Sequence, residues 1–429
     1  MKGTAAQPVR PSLSRRLGAA LVAAAGLAVL AGAVYLIGRQ VWAYHHFREA
    51  KTALEGREFD PARAHFALCL EVWPTSAETH FLAARAARRA GVYDEADQHL
   101  KRSRELGWVP GALDAEQAML EAQRGEPEKV QSLLWTWIRE DHAESLLMLE
   151  ALTHGYMKAY NLPAAMLTLQ EWLRRDPDAV QALYWRGEAC ERLHRYEEAL
   201  ADFRRAQELD PKRDDIRLRM ASALVHAHRS AEATPHFEIL YDHQPDNAAV
   251  LLGLARCRME QGRPEEARGL LDALLAAHPG DGLALGERGL VELEAGNAEE
   301  AERWLRQAVA VVPYERDIVY SFVQVLERRG KKEEADAWTA RLNGIEQDLT
   351  RIAEVMRVII EDPRNPAPRH EAGTILMRNG QEQEGLRWLS NALSLDPHYR
   401  PTRLLLAEYC GKHDKPDEAA IHRRLAAPE

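Results

Sequence analysis

The side chains best suited to chemistry in this chain come in adjacent pairs. Glu197-Glu198, Glu265-Glu266, Glu299-Glu300 and Glu333-Glu334 are the kind of carboxylates that general acid/base catalysis draws on. A catalytic pair is needed once, however, and these recur at steps of 34 residues or its double. Acids at a recurring helix start complement the helix macrodipole, which is a structural role. Cys69, Cys190, Cys257 and Cys410 form no C-x-x-C and stand beside no His at a metal-ligand spacing. They read as small packing residues. His45 and His46 are adjacent, so on a helix they point to different sides and make poor joint ligands. No G-x-x-x-x-G-K-[ST], G-x-G-x-x-G, H-E-x-x-H or G-x-S-x-G occurs. The expectation is therefore no catalytic residue, no cofactor and no metal.

The elements that carry these pairs are set by a period of 34 residues. Pro211, Pro245, Pro279 and Pro313 keep that step, as do Ala199, Ala233, Ala267 and Ala301, and Gly187, Ala221, Ala255 and Gly289. A bulky apolar column follows it too: Phe203, Phe237, Leu271, Leu305. Each unit holds two apolar-periodic stretches long enough for helices, with a turn such as Gln261-Gly262-Arg263-Pro264 between them. The Gly/Ala column falls mid-way along the first helix and the Ala column mid-way along the second, where small residues allow close approach. The Pro stops the second helix. One such unit cannot bury its own apolar face and must stack on its neighbours.

The segment Leu183–Pro211 resembles a tetratricopeptide (TPR) repeat: Gly187, Tyr196, Ala199, Phe203, Ala206 and Pro211 supply the family's small, aromatic, Ala and Pro positions. The resemblance extends over nearly all of residues 43–429, least well in the third unit, where Val130 replaces the second-helix Ala. It implies an all-α fold: a right-handed TPR superhelix, an α-solenoid of about eleven helix pairs, with a concave peptide-binding face. It implies a binding scaffold rather than an enzyme. The family's groove columns fall on Tyr184, Glu188 and Glu191; Leu218, Ser222 and Val225; Leu252, Arg256 and Met259; and Gly286, Leu290 and Leu293. That row is largely apolar, suited to an amphipathic helix or an extended apolar segment. The Lys and Asn of a carboxylate-gripping groove are missing from it.

Residues 1–16 form a basic tail without an acid, and Leu17–Gly38 runs 22 residues without a charge. As a helix that run spans about 33 Å, enough for a bilayer core. Arg39, Trp42 and Tyr44 follow as an interfacial belt. The expectation is a single transmembrane helix at 17–38. The basic tail places the repeats on the extracytoplasmic, periplasmic side. The alternative is a signal peptide cut after Ala31-Gly-Ala33, leaving a secreted or periplasmic accessory subunit of a larger membrane assembly; Val34–Ile37 extends the apolar run past that site.

The remaining domains are a TPR solenoid at 43–361, ending in a long helix at 333–361, and C-terminal TPR units with a cap at 366–429. Along the long helix Leu342, Ile345, Leu349, Ile352, Met356 and Ile359 make a heptad seam, open to self-association or to packing along the last repeats. Trp304, Trp338 and Trp388 share one second-helix column, as packing residues do. A net charge of −10 argues against a nucleic-acid partner. The partners expected are a protein or peptide in the groove and the membrane at the N-terminal helix.

Overall fold

The computed structural model describes residues 13–427 apart from His194 and Pro363, and only the backbone of residues 13–26, 28 and 360. Among the described residues there are 22 helices and no strand. They fall into two compact units, residues 1–124 and 125–429.

The first unit holds α1 (Leu13–Glu55), α2 (Phe59–Val72), α3 (Ala77–Arg89), α4 (Tyr93–Glu105) and α5 (Pro110–Arg124). The second holds α6 (Pro127–Arg139), α7 (Ser145–Lys158), α8 (Leu162–Arg175), α9 (Val180–Arg192), α10 (Tyr196–Leu209), α11 (Asp214–His226) and α12 (Ser230–His243). It continues with α13 (Ala248–Glu260), α14 (Pro264–Ala277), α15 (Gly282–Glu294), α16 (Ala298–Val311), α17 (Arg316–Arg328) and α18 (Lys332–Glu361). It closes with α19 (Pro366–Arg378), α20 (Glu382–Leu395), α21 (Arg400–Lys412) and α22 (Pro416–Leu425). The third repeat is thus divided: its first helix, α5, lies in one unit and its second, α6, in the other.

The periodic columns explain how each pair closes. A Cβ built on Gly187 would lie 2.5 Å from the Phe203 ring, and one on Gly289 would lie 2.6 Å from Leu305. Ala199, Ala233, Ala267 and Ala301 are fully buried on the facing helices. The paired acids occupy the first turns of α10, α14, α16 and α18, where exposed N–H groups favour negative charge. Pro211, Pro245, Pro279 and Pro313 each follow the residue that caps a second helix. In the turn between paired helices the chain goes left-handed, and Gly91, Gly262, Gly296, Gly330 and Gly380 take that place. At Gly262 the following N–H, on Arg263, reaches back 2.9 Å to the carbonyl of Arg258 and seals the helix end. Tyr160 occupies the equivalent place between α7 and α8, at φ +55°. An L-residue pays about 1–2 kcal/mol for that conformation.

Among the described residues no helix is long and apolar enough to cross a membrane. Half of the expected span at 17–38 lies on residues whose side chains fall outside the described set. The heptad seam does not form an open stripe either. Leu342, Ile345 and Ile359 are buried within the second unit, and Ile352 and Met356 pack against that core. Of the six, Leu349 is the exposed one. A seam this covered serves packing, because α18 runs on past its own repeat and needs a flank to cover it.

In the first unit α3 and α5 are joined by a buried ion cluster. Glu116 is fully buried and accepts from Arg88 Nε at 2.5 Å and Arg85 Nε at 2.9 Å, while Arg88 Nη1 donates to Gln123 Oε1 at 2.8 Å. Burial alone would raise the Glu116 carboxyl, but the two guanidiniums outweigh it and hold the group below the usual carboxylate range. Removing the carboxylate leaves two desolvated cations facing each other. Glu116→Ala is expected to destabilise the first unit by about 3–5 kcal/mol, read from urea unfolding, and Glu116→Gln by less. Unchanged midpoints for both would show that the cluster carries no weight.

Candidate functional site

In the middle repeats of the second unit the first helix touches not only its own partner but also the first helix of the next repeat: α9 meets α11, α11 meets α13, α13 meets α15 and α15 meets α17. These first helices therefore form a continuous inner layer. Between successive second helices the surface opens instead. A cleft of about 250 Å³ lies between α10 and α12, with Met220 and Leu224 of α11 as its floor. Another of about 600 Å³ lies between α12 and α14, over Leu254 and Arg258 of α13.

The row predicted for partner binding lies on this inner layer, in two parts of different character. At the α9–α11 end it is polar. Arg219 of α11 reaches across to Glu188 Oε1 at 3.3 Å and Glu191 Oε2 at 3.4 Å, and Arg192 Nη2 donates to Glu188 Oε1 at 2.7 Å. The guanidinium of Arg213 sits 5.6 Å from the centre of the Tyr184 ring. Burial is the main influence on Glu191 and pushes its carboxyl up to about 7, with Arg219 pulling the other way. From α11 to α15 the row turns apolar. Leu218, Val225, Leu252, Met259 and Leu290 are half-buried, and Leu293 is buried, at 3% exposure. Ser222 is half-buried among them, and Gly286 is buried because a Cβ there would meet Ile318 at 2.4 Å.

This packing covers part of the predicted row. Leu252, Met259 and Leu290 rest on the core cluster of the repeats, since each first helix is flanked by the next. Arg256 of the predicted row is bound to Glu287 at 2.6 Å. The exposed large residue comes one repeat later, Tyr320 at 46%.

Sequence reading missed the charged partners. Glu188 and Arg219, Arg256 and Glu287, and Arg85 and Glu116 are each opposite charges 31 residues apart. That spacing is one period less a helical turn, and it joins successive first helices. The histidines carry a second missed signal. His46 and His80 are one period apart, as are His65 and His99. In the first unit His46 Nδ1 lies 2.9 Å from His65 Nδ1, and His80 Nδ1 lies 3.0 Å from His99 Nδ1. Each contact needs one protonated and one bare ring nitrogen. Among the described residues no three His, Cys, Asp or Glu side chains gather as a metal site.

The geometry defines an array of paired antiparallel helices whose first helices form an inner layer. Family models described as tetratricopeptide repeat match residues 154–214, 224–286 and 258–316. No curated protein matches the chain. Among solved structures, PilW, a type IV pilus biogenesis factor, is 22% identical over 46% of this chain and 91% of its own, with a TM-score of 0.41. YrrB, a TPR protein with an unusual peptide-binding site, is 19% identical over 42% of this chain and 94% of its own, with a TM-score of 0.37. A tetratricopeptide repeat protein from Parabacteroides merdae is 15% identical over 65% of this chain and 99% of its own, with a TM-score of 0.40. At these scores the likeness carries no functional argument.

The raised Glu191 gives a pH signature. Its folded-state value lies above the ordinary carboxylate range, so the stability it contributes is present at low pH and lost as pH rises through about 7. Glu191→Gln is therefore expected to raise the urea midpoint at pH 8 and to leave it nearly unchanged at pH 4, below the ordinary carboxylate value. An equal effect at both values would show that Glu191 titrates as an ordinary exposed acid.

Proposed function

We propose that the protein is a membrane-anchored scaffold that binds a partner protein or peptide on the inner layer formed by α9, α11, α13 and α15. One observation carries this reading. The inner layer presents half-buried apolar side chains, Leu218, Val225, Leu252, Met259 and Leu290, beside a polar end built on Glu188, Glu191 and Arg219. A partly wetted apolar row with a fixed polar terminus suits an amphipathic segment, whose apolar side chains add to the row and whose polar groups set its register. Tyr184, Arg256 and Leu293 frame the row: Tyr184 at its polar end, Arg256 held by Glu287, Leu293 as its buried floor. A carboxylate pushed up by burial, as Glu191 is, gains from a cationic group on a bound segment. A non-catalytic role is in keeping with the repeat architecture.

The anchoring half of the proposal rests on α1. Its apolar segment continues without a break into the first repeat, within a single helix from Leu13 to Glu55. Leu27, Val29, Leu30, Val34, Leu36, Ile37 and Val41 are all exposed along it. Apolar side chains exposed on every side of a helix call for an apolar solvent, and a bilayer supplies one. The basic, acid-free tail favours the orientation with the repeats extracytoplasmic.

Two experiments test the two halves separately. For the inner layer, the double change Leu252→Glu with Leu290→Glu is expected to abolish partner capture in affinity purification from detergent-solubilised native membranes, with helical circular dichroism retained. Capture of the same partners by the folded double variant would place the site elsewhere. A variant that melts would show both residues to be core. For the anchor, the full chain is expected in the pellet after a carbonate wash, and a reporter fused after Glu429 is expected to be active outside the cytosol. Release into the wash removes the anchor, and cytosolic reporter activity reverses the orientation.

A further inference from the structure

A stacked array of helix pairs makes contacts between neighbours, not between distant repeats. The second unit breaks that rule at Tyr160. Tyr160, in the turn between α7 and α8, lies against α20, 227 residues further along the chain. Arg387 Nη1 donates to Tyr160 Oη at 3.3 Å, and its guanidinium lies 5.7 Å from the centre of the ring. The Trp388 ring is 5.7 Å away at a tilt of 58°. Beneath them Tyr160 packs on a cluster made by Val355 and Ile359 of α18, Ala372 and Leu376 of α19, and Trp388 of α20.

The backbone at Tyr160 points the same way. The left-handed place in this turn is filled by Gly in most other repeats, for which it carries no strain, and by Arg57, His228 and Asp414 in three more. Tyr160 bears the cost of that conformation, and its ring is held there by residues of α20. The ring is also connected to the inner layer. Arg192 of α9 also lies over it, 4.8 Å from the centroid, while donating to Met157 O at 3.1 Å and to Glu188 Oε1 at 2.7 Å. Glu188 is shared with Arg219. One chain of contacts therefore runs from Arg387 through Tyr160 and Arg192 to the polar end of the inner layer. Close by, Asn161 Nδ2 donates to Glu128 Oε1 at 3.4 Å, and the fully buried Arg369 of α19 is influenced by that same Glu128.

We propose that Tyr160 is the pin of an intramolecular clasp, which holds α18–α20 against the α7–α8 turn and gates access to the inner layer of α9–α15. In the closed state the repeats between the two ends are held as one circuit, and Arg192 is engaged by Tyr160 and Glu188. A partner segment that competes for Arg192 or Glu188 weakens the pin and opens the circuit. The gating step rests on the reading of the inner layer as a binding surface; the clasp itself does not.

The test uses the full chain in detergent and needs no partner. Tyr160→Ala removes the ring, Arg387→Glu breaks the clasp from the other side at an exposed position, and Tyr160→Phe keeps the ring. Hydrogen exchange followed by mass spectrometry is expected to speed up about tenfold or more in Tyr160→Ala and Arg387→Glu, both in residues 156–164 and in 352–392, while helices α11–α16 keep their protection. Tyr160→Phe should stay close to wild type, and small-angle scattering should show a larger radius of gyration for the two open variants. Faster exchange confined to 156–164 in Tyr160→Ala, with Arg387→Glu unchanged and scattering unaltered, would overturn the clasp. Hydroxyl-radical footprinting of Tyr184 and Met259 reports the gate: faster labelling in the open variants supports it. Equal labelling removes the gate while leaving both the clasp and the binding surface standing.

Discussion

The repeats depend on a single kind of contact, the meeting of a small side chain on one helix with a bulky one on its partner. Phe203 presses on the bare backbone of Gly187, and Leu305 on that of Gly289. Interiors packed to this density respond to a single added methyl, so these columns fix how far apart the two helices sit. That distance sets how far each first helix projects, and hence which side chains of the next first helix it covers. The half-buried state of Leu252 and Leu290 is a consequence of this spacing, as is the full burial of Leu293. The third repeat departs from the column. Val130 stands where its relatives have Ala, and the two helices of that repeat belong to different compact units.

Charge is distributed by the same geometry. With first helices forming a continuous layer, an acid on one and a base on the next meet at a separation of one period less a turn. The pairs Glu188–Arg219 and Arg256–Glu287 lie on the proposed binding surface, whereas Arg85–Glu116 is sealed inside the first unit. Position decides their meaning. Glu116 has two guanidiniums and is held ionised, while burial raises Glu191 against the more distant pull of Arg219. A carboxylate of the second kind retains unused capacity for a cation, which is what a recognition surface needs and a structural cluster does not.

Much of the helical architecture was readable from the chain because its determinants are local and periodic. The Pro that follows α10 and α14, the paired acids at their starts and the Gly of turns such as that at Gly262 state their purpose within a few residues. The site was readable only as a row of positions. Tyr184, Glu188, Leu252 and Leu290 were named from helix phase, but their covering depends on the neighbouring first helix, which no single-repeat pattern expresses. The pairing of His46 with His65 and of His80 with His99 was present as two columns of step 34, yet reading His45 and His46 as neighbours in sequence concealed it. The contact of Tyr160 with Arg387 left no periodic trace, because it joins places that the repeat treats as unrelated.

That last contact changes how the second unit stores stability. In an open array each repeat is stabilised by its neighbours alone, so ends fray and local opening costs little. A contact spanning α8 to α20 couples the opening of distant repeats. Repeats between the pinned ends cannot splay without breaking the Tyr160 contacts, and the pin cannot break without freeing Arg192 beside Glu188. The interactions at the pin are few, one hydrogen bond at 3.3 Å, ring contacts and a small apolar cluster. Each is weak against the summed packing of a helix pair. A closure that is weak compared with the repeats it closes opens before they unfold, and that ordering separates a gate from a structural staple.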